Sequence, residues 1–307
     1  MNAAERLGDL RTLDWCESVE PAAFGEFGEP RPITQNSLDS CRITVTIGAE
    51  NVTVNVGKLS KADELAIEDE LVALSGDARV VETTPASGSG CGTAVVFADG
   101  IAAQSVAVPP SGDSRTAGQA CDIARTGAEA IFDAVESGQI AHWEPPGPSL
   151  ARLPACGILS DAKVSRLLNI EAGSMRLTPG EHHCEWGPAR GTPPMAALDF
   201  EAAGESATGA GATGKTIGGR WSIVTPTTTG DVAICSVTTE HIPYANGTGG
   251  EHERAAIRVM LRIGEVTMDA NRMQNSEEGK PDEGEGEQAC GVARKLAAQA
   301  WPRLPKP

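Results

Sequence analysis

The segment Gly209-Ala210-Gly211-Ala212-Thr213-Gly214-Lys215-Thr216 fits the phosphate-loop pattern GxxxxGK[ST] letter for letter. That chemistry needs backbone N–H groups that cradle phosphates, with a strand before the loop and a helix N-terminus after it. Met195–Phe200 reads as a strand, but residues 204–208 intervene before the loop. Downstream, Gly218-Gly219 would break a helix, and the β-branched residues that follow read as a strand. No apolar strand ending in a partner aspartate is evident. The expectation is a Gly/Ala/Thr hairpin loop that holds no nucleotide.

His182-His183-Cys184-Glu185 has the residue types of a metal cluster. Adjacent strand residues point to opposite faces, so neighbouring histidines do not easily share an ion. A disulfide-bonded Cys184 would offer no thiolate. His142, His241 and His252 lie near element ends, without an HExxH pattern or paired carboxylates. No GxSxG is present, and Ser87-Gly88-Ser89-Gly90 reads as a flexible lead-in to Cys91. Glu277–Glu287 holds six acids and one lysine, without the spaced ligands of a calcium loop, and reads as solvated. The glycosylation-type triplets Asn51-Val52-Thr53 and Asn246-Gly247-Thr248 read as turn residues. No catalytic, cofactor-binding or metal-ligating residue is therefore expected.

The eight cysteines stand at wide spacing and none lies in a CxxC pair. Zinc ligands usually stand two to four residues apart, so structural disulfides in an oxidising compartment are expected. The candidates are Cys16, Cys41, Cys91 and Cys121, then Cys156, Cys184, Cys235 and Cys290.

The elements that carry these residues occur twice. Cysteine gaps of 25 and 50 residues in the first half become 28 and 51 in the second. Leu10–Cys16 corresponds to Leu150–Cys156, each opening a short helix, and Ser160 is a suitable N-cap for Asp161–Leu168. Cys41–Val45 and Cys184–Trp186 read as strand entries, and Gly48–Asn51 as a hairpin turn. Cys91–Phe97, Val232–Val237 and Ala255–Met268 read as strands. Gln119-Ala120-Cys121-Asp122-Ile123-Ala124-Arg125 recurs as Gln288-Ala289-Cys290-Gly291-Val292-Ala293-Arg294, each beginning a terminal helix. Trp143 and Trp301 close those helices at equivalent positions, which favours packing of the helix end on a sheet.

The expected fold is α+β, with two tandem related domains, residues 1–143 and 151–307, around a Pro-rich linker at 144–150. Each is an antiparallel sheet packed by N- and C-terminal helices. Four cysteines per domain permit three pairings. The expected one joins the strand cysteines, Cys41–Cys91 and Cys184–Cys235, and the terminal ones, Cys16–Cys121 and Cys156–Cys290. A Cys16–Cys41 bridge would reject it.

In these motifs the chain resembles the DUF3558 family of actinobacterial secreted lipoproteins and envelope proteins, over nearly its whole length as two copies. The resemblance rests on Cys156–Asp161 and Cys16–Glu20 at the openings. It rests also on Cys184-Glu185-Trp186, on Cys121–Ala124 and Cys290–Ala293, and on Leu304-Pro305. It implies a fold similar to the LpqN lipoproteins and the PsbP/Mog1-like domains, and non-enzymatic work in envelope transport or interaction. The chain departs from the family in having Asp14-Trp15 before Cys16 and no lipobox.

The 307 residues carry a net charge of −17, which argues against nucleic acid and anionic membrane surfaces. Met1–Leu10 is polar, without an apolar signal core. The sequence is expected to follow a removed signal, lipid anchor or membrane helix, which would tether it to the outer face of the membrane. The expected function is a non-catalytic extracytoplasmic binding module for a protein or an envelope lipid or glycan. A cleft between duplicated domains is the expected ligand site. The alternatives are an envelope hydrolase with a hidden site, or the external sensor of a membrane-anchored regulator.

Overall fold

The computed structural model describes residues 2–32, 37–73, 78–85, 90–110, 114–204, 211–246, 250–263 and 283–307. The first half runs α1 (Ala3–Leu7), β1 (Leu13–Asp14), α2 (Trp15–Ser18), β2 (Glu29–Pro32), β3 (Cys41–Ile47), β4 (Glu50–Lys61), β5 (Ile67–Ala73), β6 (Arg79–Thr83), β7 (Cys91–Val96), β8 (Ile101–Val108) and α3 (Ser114–Ser137). After β9 (Ala141–His142) come α4 (Asp161–Leu168), β10 (Met175–Leu177), β11 (His183–Trp186), β12 (Met195–Ala203), β13 (Thr213–Ile217), β14 (Arg220–Thr229), β15 (Val232–Pro243), β16 (His252–Arg262) and α5 (Glu283–Ala300).

Two seven-stranded antiparallel sheets result, ordered β2-β3-β4-β8-β7-β6-β5 and β10-β11-β12-β16-β15-β14-β13. The two orders superimpose strand for strand. Each is a three-stranded meander whose last strand pairs centrally with the last strand of a four-stranded meander. The chain is thus mixed α+β, mostly antiparallel sheet with a few helices and four disulfides.

Period-two alternation decides which sheet face is buried. Cys41, Ile43 and Val45 of β3 point inward, as do Ala233, Cys235 and Val237 of β15, while their neighbours are half-buried. The long helices cover these faces. Ala120, Ile123, Ala124, Ala128, Ile131 and Val135 line one side of α3, and Ala289, Ala293, Leu296, Ala297 and Ala300 one side of α5. Their three- and four-residue spacing is that of a helix face. Burial of Ile123 and Ile131 contributes about 1.5–3 kcal/mol each. Small residues allow close approach: a Cβ on Gly127 would meet Ser105 Oγ at 2.2 Å.

All eight cysteines are bonded, but not in the expected pairs. The bridges are Cys16–Cys41, Cys91–Cys121, Cys156–Cys184 and Cys235–Cys290. Each opening segment is tied to the first cysteine strand of its half, and each terminal helix to the second. The expected strand-to-strand bridges fail because β3 and β7 are separated by β4 and β8, and β11 and β15 by β12 and β16. Cysteines there stand too far apart to bond across one face.

Two further expectations need correction. Trp143 does not cap the first sheet: it belongs to the second core, with its ring edge-to-face on Tyr244 at 5.2 Å. Asn51 is a strand residue of β4 whose Oδ1 accepts a hydrogen bond from Thr46 Oγ1, and the turn is confined to Gly48-Ala49. The 144–150 segment is hydrogen-bonded to the second half. Buried Glu253 accepts hydrogen bonds from Ser149 Oγ at 2.6 Å and the Leu150 amide at 2.7 Å, and His241 Nε2 donates to the Pro148 carbonyl at 2.6 Å. The strand expected over Ala255–Met268 is seen as β16, and its continuation past residue 263 lies outside the described residues. So do Ser87–Ser89, Gly247-Thr248 and most of the acidic Glu277–Glu287 stretch.

Candidate ligand-binding cleft

The strand faces turned away from α3 and α5 carry polar residues, and parts of those faces meet across a cleft of about 530 Å³. Alternation alone does not place Lys58 there. Val52, Val54 and Val56 of β4 are buried, so residue 58 shares their parity and would point into the core. A β-bulge intervenes: Val56 pairs with Ser105 and Lys58 with Gln104, leaving Gly57 as the extra residue. Gly57 has φ +96°, and the buried Trp15 ring packs where a Cβ would stand, at 2.2 Å. Beyond the bulge Leu59 turns inward and Lys58 outward, onto the cleft face with Arg42 and Asn55.

On the opposite wall, β11, β12 and β16 present His183, Asp199, Glu201 and Arg258. His183 pairs directly with Asp199 across β11 and β12, and its Nδ1 donates to Asp199 Oδ1 at 2.5 Å. Burial alone would lower the His183 pKa, but hydrogen bonds to Asp199 and Glu185 outweigh it and raise the value to about 9. Burial would likewise raise Glu185; His183 and Arg176 hold it at about 2.

His182 does not obey the opposite-face expectation, because it precedes β11, beside Glu181 with its positive φ of 62°. Both histidines line the cleft. His182 Nδ1 stands 2.5 Å from Asp39 Oδ1, and Nε2 stands 3.2 Å from the Ala151 carbonyl oxygen. A carboxylate and a carbonyl both accept, an arrangement that favours the doubly protonated ring. Its pKa is raised accordingly: burial opposes the charge, and Asp39 overrides it. Asp39 belongs to the first half of the chain and His182 to the second, so this pair joins the halves. Arg190–Glu64 at 3.4 Å and Asn246 Nδ2 to Asp14 Oδ2 at 2.6 Å join them as well.

The cleft gathers charges of both signs. His182, His183, Arg42, Lys58, Arg190 and Arg258 face Asp39, Glu64, Asp199 and Glu201. Asp39, Glu64 and Asp199 are each engaged by a partner. Among the described residues, Lys58, Arg258 and Glu201 make no ion pair. Lys58 remains open to water, yet desolvation by the cleft walls lowers its pKa, with Arg190 and Arg258 acting in the same direction. Burial raises the Glu201 pKa, and the nearby Asp199 charge adds to it. Six basic side chains and four carboxylates thus line this cleft, in a chain of net charge −17.

The other motifs resolve into structure. Gly214-Lys215-Thr216 lies on edge strand β13, followed by the Gly218-Gly219 turn and β14, with no helix N-terminus. Gly214 lets the Trp221 ring lie against the strand, where a Cβ would meet it at 2.2 Å. Gly209 and Ala210 lie outside the described residues. Among the described residues, no group of three or more His, Cys, Asp or Glu could hold a metal ion. Nor, among them, is any helix long and apolar enough to cross a membrane. Four disulfides fit an oxidising, extracytoplasmic environment.

Sequence reasoning missed Lys58, Glu201 and Arg258. The available signal was Gly57, which interrupts the Val52-Val54-Val56 alternation immediately before a lysine. Comparison of the chain with family models, curated proteins and solved structures finds no match.

Proposed function

We propose that the chain is a non-catalytic extracytoplasmic binding module of the cell envelope. It consists of two tandem copies of a PsbP/Mog1-like, DUF3558-type domain, residues 1–143 and 151–307, and the cleft between their sheets is the ligand site. The observation that carries this reading is the cleft itself, where Lys58, Arg258 and Glu201 face one space without ion-pair partners among the described residues. Charges without a contact ion pair, in a concave site between two sheets, are groups available to a ligand. Identical strand order and equivalent disulfides in the halves support the duplication. Both cleft histidines have their ring nitrogens committed to carboxylates or a carbonyl, which favours positioning over catalysis.

Native mass spectrometry after incubation with envelope extract tests this. Wild-type protein is expected to retain a small ligand. Val106→Trp, at a half-buried cleft position on β8, is expected to lose it. Equal retention by both, or none by wild type, would overturn the assignment.

A further inference from the structure

Resting on the reading of this cleft as the ligand site, we infer that it takes a compact oxyanion, a phosphate or sulfate group, with Lys58 of β4 and Arg258 of β16 as its direct ligands. The two cations come from different sheets, line the same cleft and are exposed in it. Lys58 and Arg258 repel each other, nearby Asp199 offsets part of that repulsion, and a bound anion turns the remainder into attraction. Among the described residues neither cation makes an ion pair: Asp199 is bonded to His183 and Glu64 to Arg190, so these carboxylates act on Lys58 and Arg258 only at longer range. Arg42, whose Nε donates to Asn55 at 3.1 Å, adds positive potential to the same wall as Lys58.

A tetrahedral oxyanion presents separate oxygens in different directions, and so can meet cations from opposite walls at once. A carboxylate offers two coplanar oxygens on one side. The chain's net charge of −17 disfavours long polyanions and confines recognition to a group small enough to enter about 530 Å³. Among the described residues Glu201 is the cleft carboxylate without a contact ion pair, and it opposes the anion whenever it is ionised. It makes the assignment sharply testable, because removing its charge should improve binding.

The test is isothermal titration of the full oxidised chain with inorganic phosphate, sulfate, glycerol phosphate and acetate, at ionic strength fixed with sodium chloride. Phosphate or sulfate is expected to bind at one site, with acetate at least tenfold weaker. Lys58→Met and Arg258→Met should each weaken binding at least tenfold, as loss of one charge-assisted hydrogen bond does. Glu201→Gln should tighten it. Tighter binding of glycerol phosphate than of phosphate would assign an ester as the natural source, and the reverse order the free ion; both support the inference. Both cations are exposed, so the variants should fold, and Lys58→Gln and Arg258→Gln provide a second pair. Absence of saturable binding, affinity unmoved by either substitution, or acetate bound as tightly as phosphate would overturn the inference. Retention of an uncharged ligand by wild type and its loss in Val106→Trp would leave the binding-module reading standing and remove only the anion.

Discussion

Gly57→Ala tests how the cleft is built. The added Cβ would stand 2.2–2.3 Å from three Trp15 ring carbons, at a φ of +96°. Trp15 is only 1% exposed, so its ring has no open space to move into. The unfavourable backbone conformation costs about 1–3 kcal/mol. Overpacking of a closed site adds about 1–3 kcal/mol. Gly100→Ala separates these contributions, because Gly100 has φ +76° but nothing within 4 Å of its would-be Cβ. Urea unfolding monitored by circular dichroism should then show Gly57→Ala less stable than Gly100→Ala by about 1–3 kcal/mol, the overpacking part alone. Gly57→Ala should also weaken binding at the cleft, since the bulge is what aims Lys58 outward. Equal destabilisation by the two substitutions would refute the packing of Trp15 on the bulge. Unchanged binding in Gly57→Ala would refute the link between bulge and cleft.

The remaining predictions concern pH, the interface between halves, the disulfides and the edge strand. His183 has a folded pKa of about 9, so its stabilisation is complete below about 6.5 and is lost as pH rises through 9; Glu185, at about 2, contributes fully above about 4.5 and is lost as pH falls through 2. These two groups therefore place a stability plateau between about pH 4.5 and 6.5, measurable by thermal unfolding, and Asp199→Asn should flatten the alkaline fall. Asp39→Asn removes the carboxylate that keeps His182 protonated, so NMR titration should find the His182 pKa lower than in wild type. Non-reducing peptide maps should yield Cys16–Cys41, Cys91–Cys121, Cys156–Cys184 and Cys235–Cys290. Replacing Cys235 and Cys290 together by Ala should destabilise the chain by about 4 kcal/mol, from the loop entropy of a 55-residue separation. Gly214→Ala should displace the exposed Trp221 ring and change its fluorescence with little loss of stability, because β13 is an edge strand.

The architecture was largely legible in the sequence and the site only partly so. The recurrence of Gln-Ala-Cys-x-x-Ala-Arg at residues 119 and 288 marks two equivalent helices, and α3 and α5 are what the structure has there. α4 begins after Ser160 as expected, although the Ser160 side chain makes no cap hydrogen bond, and the Gly218-Gly219 turn followed from local chemistry that acts over a few residues. Disulfide pairing did not, because spacing along the chain does not say which strands lie between two cysteines. β4 and β8 stand between Cys41 and Cys91, and that order is set by the return of the second meander to the sheet centre. Trp143 was misassigned for a similar reason: equivalence with Trp301 predicts a shared role, but Tyr244 of the second half offers it an aromatic partner. The cleft depends on two local departures from strand parity, the bulge at Gly57 and the positive φ at Glu181. Each redirects a charged residue that simple alternation would send elsewhere.

The central claim is that ligands enter between the two sheets. A competing surface exists beside the C-terminus, a groove of about 740 Å³ in which Trp221 is 64% exposed next to Trp301 and Pro302. Hydrogen–deuterium exchange of the oxidised chain, with and without envelope extract, separates the two sites. Protection confined to residues 39–42, 55–60, 104–108, 182–185, 199–201 and 256–260, and lost in Val106→Trp, is the predicted result. Protection of residues 218–223 and 301–304, with the cleft unchanged, would contradict it.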